Sequence, residues 1–184
     1  MRPARALSLA LALLSLLTQA TVAWAQADGI VLVTPRGFNL AFTGGPQDGS
    51  MRMAQFVPDG QNVDNWRQMI SVQHLLRDTG IEPAQLAGQI AAGLQAMCPK
   101  AQAKSLPQQP IGGQPAIRFY VYTPECAKSQ PETLLVVIVK AAGVLHTIQY
   151  SWRATPPSQQ EFKAAEATFD QIMLCDAKIP NCLR

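Results

Sequence analysis

The chain is poor in the side chains that catalysis most often uses. It holds two histidines, His74 and His146, in 184 residues, and neither lies in a recognised catalytic spacing. It lacks a G-x-S-x-G nucleophile turn, an H-E-x-x-H pair and a phosphate-cradling glycine loop; Gly112-Gly113 has neither the further glycines nor the Lys-Ser/Thr pair such loops use. These gaps leave no signature of a serine hydrolase, a zinc peptidase or a nucleotide-binding enzyme. No C-x-x-C pair occurs and neither histidine is near a cysteine in sequence, so no metal and no cofactor is expected. Glu161 and Glu166 belong to one helical stretch, whereas a glycosidase carboxylate pair needs a facing element.

Long apolar runs are equally scarce. The one near the start, Ala6 to Leu17, is shorter than the roughly 17 to 25 residues needed to cross a bilayer. Arg2 and Arg5 precede it and the small residues ending Ala23-Trp24-Ala25 follow it, which is the pattern of a secretory signal peptide. Cleavage is expected after Ala25, leaving Gln26 as the terminus. No cysteine follows to accept lipid, so residues 1–25 read as a leader and 26–184 as a single secreted domain without a membrane anchor.

Removing Arg2 and Arg5 takes the basic count from 15 to 13 against 12 acids, so the expected mature net charge is +1. Lysines and arginines are scattered singly, which gives no footprint for nucleic acid. A chain of this length buries roughly 70% of the surface its unfolded form exposes, enough for a core without staples.

Staples are expected all the same. The four cysteines, Cys98, Cys126, Cys175 and Cys182, all follow the leader, and an oxidising compartment favours pairing. Three connectivities are open to them. Cys98–Cys126 with Cys175–Cys182 is favoured because the second pair closes the short proline-containing loop CDAKIPNC. On the loop-entropy model the longer closure is worth roughly 3 to 4 kcal/mol and the shorter roughly 2 to 3.

Periodicity then supplies the elements. Ile30 to Val33 is a short apolar run. Phe38, Leu40 and Phe42 alternate onto one face, and GGPQDG breaks the chain before a strand from Met51 to Val57. Trp66 to Leu76 alternates again, with Trp66, Ile70, Val72 and His74 on one side of the pleat. Pro83 opens a helix carrying Leu86, Ile90, Leu94 and Met97 at helical spacing, and Pro99 ends it. Gly88 and Gly93 inside it point to a closely approaching backbone. The proline-dotted Ala103 to Pro110, if extended, belongs at a sheet edge. IRFYVYT, Ile117 to Thr123, is a strand; LLVVIV, Leu134 to Val139, suits a central strand covered on both faces. Ala141-Ala142-Gly143 turns it into Val144 to Ala154, a half-exposed hairpin partner with His146, Ile148, Tyr150 and Trp152 on one side. Ser158 with Glu161 forms a capping box, and Phe162, Ala165, Phe169, Ile172 and Met173 make an apolar helical stripe running to Cys175. The class is α+β: a largely antiparallel sheet of about six or seven strands packed with two main helices.

TPRGFNLAF, FVPDGQNVDNWRQMISVQ, the helix ending AMC, the strand ending TPEC and LLVVIVKAAGVLHTIQYSWRA carry a family resemblance over Thr34 to Cys175. The chain resembles a group of secreted proteins of Gram-negative bacteria whose fold is similar to that of PsbP, the extrinsic subunit of photosystem II. The resemblance implies a PsbP-like sandwich, a periplasmic or secreted location and a scaffold that docks onto larger assemblies. No catalytic residue set comes with it.

Two functions are therefore weighed. The favoured one is a non-catalytic periplasmic module that binds a protein partner or an envelope component. Its expected surface is Arg118, Tyr120 and Tyr122, which lie opposite Phe119 and Val121 on their strand and so face outward or a helix. The alternative is a hydrolase or small-ligand-binding protein whose site is His74, His146 and nearby aromatics, should their strands be neighbours. Trp66 reads as a core anchor.

Overall fold

The computed structural model describes residues 29–77, 80–126 and 130–175; the expected leader and Cys182 lie outside them. Among the described residues the chain forms nine strands and two helices. The strands are β1 (Ile30–Val31), β2 (Phe38–Gly44), β3 (Met51–Pro58), β4 (Gln68–Leu75), β5 (Gln102–Ser105), β6 (Ala116–Thr123), β7 (Glu132–Ala141), β8 (Val144–Arg153) and β9 (Met173–Leu174). The helices are α1 (Pro83–Met97) and α2 (Gln159–Phe169). Seven strands make one sheet in the order β2-β3-β4-β8-β7-β6-β5, and every neighbouring pair is antiparallel. β1 and β9 form a separate two-stranded sheet.

Local chemistry explains the joints. β7 and β8 are joined by Ala142-Gly143, whose φ values of 53° and 80° match the twist of a tight hairpin. The proline-rich segment after β5 contributes no ladder, and β5 lies at the edge, where proline is tolerated. α2 begins with the full capping box: Ser158 Oγ accepts from Glu161 N, and Glu161 Oε2 accepts from Ser158 N at 2.8 Å.

The sheet is covered on both faces, so the architecture is α+β. On one face Val72, Leu135, Val137, Ile148, Tyr150 and Trp152 pack beneath Ala165 and Phe169 of α2, with Ile30 of β1 and Ile172 joining them. On the other, Phe119, Val121, Val136, Ile138 and Leu145 meet Leu86, Ile90 and Leu94 of α1. Complete burial of Phe169 alone is worth about 1.5–3 kcal/mol. The Cys98–Cys126 disulfide ties the end of α1 to the segment following β6. Cys175 is also disulfide-bonded, while the expected partner Cys182 lies outside the described residues.

Five local readings of the sequence are corrected. Leu40 pairs with Phe56 but Phe42 pairs with Gln55, so a bulge at Ala41 sends Phe42 to the face opposite Phe38 and Leu40. Trp66 precedes β4, where the chain is no longer pleated, and packs with Val57 and Met69 rather than with Ile70. β8 is not half-exposed: it lies between β4 and β7, and Thr147 and Ser151 are buried with the rest. Gly88 and Gly93 face open space, with nothing within 4 Å of where a Cβ would stand. α2 stops at Phe169, and Met173 belongs to β9, which pairs with β1.

Candidate functional site

β4 and β8 bring the two histidines together. His74 is the direct partner of His146 in the ladder, and their Nδ1 atoms are 2.7 Å apart with the rings edge to face. One Nδ1 donates and the other accepts. Both side chains are buried, His146 completely, and neither lines any of the four cavities described among these residues. The pair therefore sits buried in the face of the sheet, apart from those cavities.

The second predicted group lies on β6 below α2. Arg118 is buried, and its Nη1 donates to Asp170 Oδ1 at 2.7 Å, the residue that caps the C-terminus of α2. Gln108 clamps the same residue by its backbone, accepting from Arg118 N at 2.7 Å and donating to Arg118 O at 3.2 Å. Arg118 thus joins β6, the segment after β5 and α2. Tyr120 and Tyr122 are half-buried one and two pleats further along that face. Tyr120 meets Phe162 of α2 edge to face, with centroids 6.2 Å apart. With Thr133, Pro156, Pro157 and Phe162 the two tyrosines line an open, mainly apolar groove of about 470 Å³.

A second cavity adjoins the first across Pro156 and Pro157, which line both. It is a polar cleft of about 620 Å³ at the end of the sheet, bordered by Arg36, Arg67 and Arg153 and by Asp59 and Glu161. Its backbone is tied down on three sides. Gly37 takes φ +83°, and its carbonyl accepts from Asp59 N at 2.7 Å, which holds Arg36 on the rim. Gln61 Oε1 accepts from Arg67 N at 2.6 Å, and Arg67 O accepts from Arg153 N at 2.9 Å. The Arg153 guanidinium lies 3.7 Å above the centre of the Trp66 ring. Beneath runs an aromatic stack from Tyr150 through Trp152 to Phe162, with centroid spacings of 4.6 and 6.2 Å.

The electrostatics follow from these contacts. Two hydrogen bonds from Ser158, through its backbone and its side chain, hold the Glu161 carboxyl below its ordinary value, with Arg67 adding a smaller pull. Burial pushes the Tyr150 hydroxyl up to about 12, and the negative charge of Glu161 adds to the rise. Tyr150 stays neutral and donates to Gln68 Oε1 at 3.0 Å. Among the described residues no cluster of three or more histidines, cysteines or acids is placed to hold a metal ion.

No family model and no curated protein sequence matches the chain. Solved structures similar in fold include these two. One is LpqN, involved in cell envelope biogenesis of Mycobacterium tuberculosis, at 14% identity and a TM-score of 0.42 over 79% of this chain and 82% of that one. The other is the cyanobacterial PsbP of Synechocystis, at 12% identity and a TM-score of 0.49 over 84% and 96%. The second is a PsbP, the protein to whose fold the sequence resemblance pointed. Likenesses of this strength carry no argument about function, and the α+β class stands on the elements described above.

The arginine cleft was missed by sequence reasoning. Its three cations come from three segments far apart in the chain, each with one unremarkable arginine. The single legible signal was Pro156-Pro157, which marks the start of α2 and forms the ridge between cleft and groove.

Proposed function

We propose that the protein is a non-catalytic secreted module of the bacterial periplasm that binds a protein partner along the groove between Tyr120, Tyr122 and Phe162. One observation carries this reading: the amphipathic tyrosines border an open groove, whereas the histidine pair required by the alternative is enclosed in the sheet. Tyrosine suits such a surface because it offers a large apolar face and a hydroxyl at modest entropic cost. Pro156 and Pro157 form the facing wall, and Pro157 disfavours helical geometry at Pro156, so α2 starts after its Ser158 cap and leaves the groove open. Arg118 supports the surface from below by anchoring α2 and does not contact the partner.

The test is site-specific photo-crosslinking in cells. A photoreactive residue at Tyr122 is expected to give a discrete protein adduct that disappears with Tyr120→Ser, while the same residue at exposed Lys100 gives none. Equal adducts at both positions, or an adduct indifferent to Tyr120→Ser, overturn the reading.

A further inference from the structure

We infer that the cleft bordered by Arg36, Arg67 and Arg153 is an anion site, and that its ligand is an acidic peptide segment of the partner whose apolar part lies in the tyrosine groove. This inference rests on the docking reading above and gives the partner its chemistry.

The first support is the state of the charges. The acids of the cleft are occupied by neutral donors: Glu161 accepts from Ser158 N at 2.8 Å and from Gln68 Nε2 at 3.2 Å, and Asp59 accepts from the Asn39 amide. No carboxylate lies within 4 Å of the side-chain nitrogens of Arg36, Arg67 or Arg153 among the described residues, although Arg77, Arg118 and Lys140 all have such partners. Three guanidinium groups therefore border one concavity with their in-plane donors uncommitted. A planar fork of that kind matches a carboxylate through two parallel hydrogen bonds. Arg153 is further held by its position over the Trp66 ring.

The second support is independent of charge. Trp152 lines the cleft and is stacked between Tyr150 and Phe162, so the concavity has a rigid aromatic floor against which a ligand can rest.

The third is continuity. Cleft and groove share the Pro156-Pro157 ridge, so a ligand crossing it presents an anionic group on one side and an apolar group on the other. An extended peptide does this within a few residues, at roughly 3.3 to 3.6 Å per residue. A lipid surface fits less well, because the arginines border a concavity and none of the large exposed hydrophobic side chains among the described residues belongs to its lining.

The test uses the full secreted protein and fluorescent synthetic dodecapeptides in which acidic and aromatic content vary independently. Anisotropy is expected to show tightest binding for peptides having both, weakened at least tenfold by Arg36→Glu/Arg67→Glu and unchanged by Lys100→Glu. That binding should also weaken steeply with salt. If acid-free aromatic peptides bind equally well and respond only to Tyr120→Ser/Tyr122→Ser, the docking reading stands and the anion site is overturned. If the parent binds none of the peptides, both fall. If it instead sediments with phosphatidylglycerol vesicles in an Arg36- and Arg67-dependent manner, the ligand class is a membrane surface and the peptide inference is overturned. Unaltered thermal melting of the arginine variants separates these outcomes from misfolding.

Discussion

His74 and His146 face each other across β4 and β8 with their Nδ1 atoms 2.7 Å apart, inside the sheet and away from every cavity described. This is a coupled pair, since each ring supplies what the other's Nδ1 requires. Replacing one by leucine removes this buried hydrogen bond and is expected to cost about 1–3 kcal/mol. The double variant His74→Leu/His146→Leu should cost clearly less than the sum of the singles. Chemical denaturation of the four proteins measures the coupling; additive costs would show that the bond contributes nothing.

Trp66 closes a small cluster with Val57 and Met69 and carries Arg153 on its face. Trp66→Ala should destabilise the fold by about 3 kcal/mol or more. Trp66→Phe keeps much of the packing and should lose less. A denaturation midpoint close to that of the parent for Trp66→Ala would be inconsistent with an anchoring role.

Arg118 holds α2 to β6 through Asp170. Its own side chain is buried at 9% exposure while that of Asp170 is 49% exposed, so part of the pair remains solvated. Arg118→Ala is expected to cost about 2–3 kcal/mol, below the full cost of breaking an enclosed pair. Arg118→Met, which keeps the stem but not the charge, should lose less and should leave partner binding intact. Loss of binding by a well-folded Arg118→Met protein would place the guanidinium at the interface instead.

Glu132 and Glu161 make opposite contributions with pH. Burial raises Glu132 above its ordinary value of 4.5, and Arg153 opposite it on β8 only partly offsets this. Its folded form holds the proton more tightly, so the ionised group costs stability at neutral pH and the cost is relieved as pH falls through the raised value. Glu132→Gln should therefore raise the unfolding midpoint at pH 7 and lose that advantage toward pH 4.5. Glu161 is lowered by Ser158 from the same 4.5. Its contribution is present above that value and is lost as pH falls through the lowered one, so Glu161→Gln should weaken the protein at pH 7 but not in strong acid. Parallel pH profiles for the two variants would contradict the assignment.

Alternation of apolar residues revealed β6 and β8, the doubly apolar run LLVVIV revealed β7, and hairpin-length turns rather than helical crossovers made the sheet antiparallel, because all of these are short-range features. The capping box of Ser158 and Glu161 was equally legible, being a contact over three residues. Where the pattern misled, a local interruption had intervened: the bulge at Ala41 reversed the side of Phe42, and the departure of the chain from the pleat before Gln68 sent Trp66 to another cluster. Lateral order left no such trace. That β8 lies between β4 and β7, burying Thr147 and Ser151 and pairing His74 with a residue 72 positions away, follows from the packing of whole strands. The cleft shows the same limit most clearly, since Arg36, Arg67 and Arg153 are ordinary surface residues until β2, β3, β4 and β8 are assembled side by side. Sequence alone determined where the main strands and the two helices begin, since those depend on short-range periodicity and caps. Tertiary structure alone decided which side chains share a site, since that depends on contacts between segments whose separation along the chain carries no local signal.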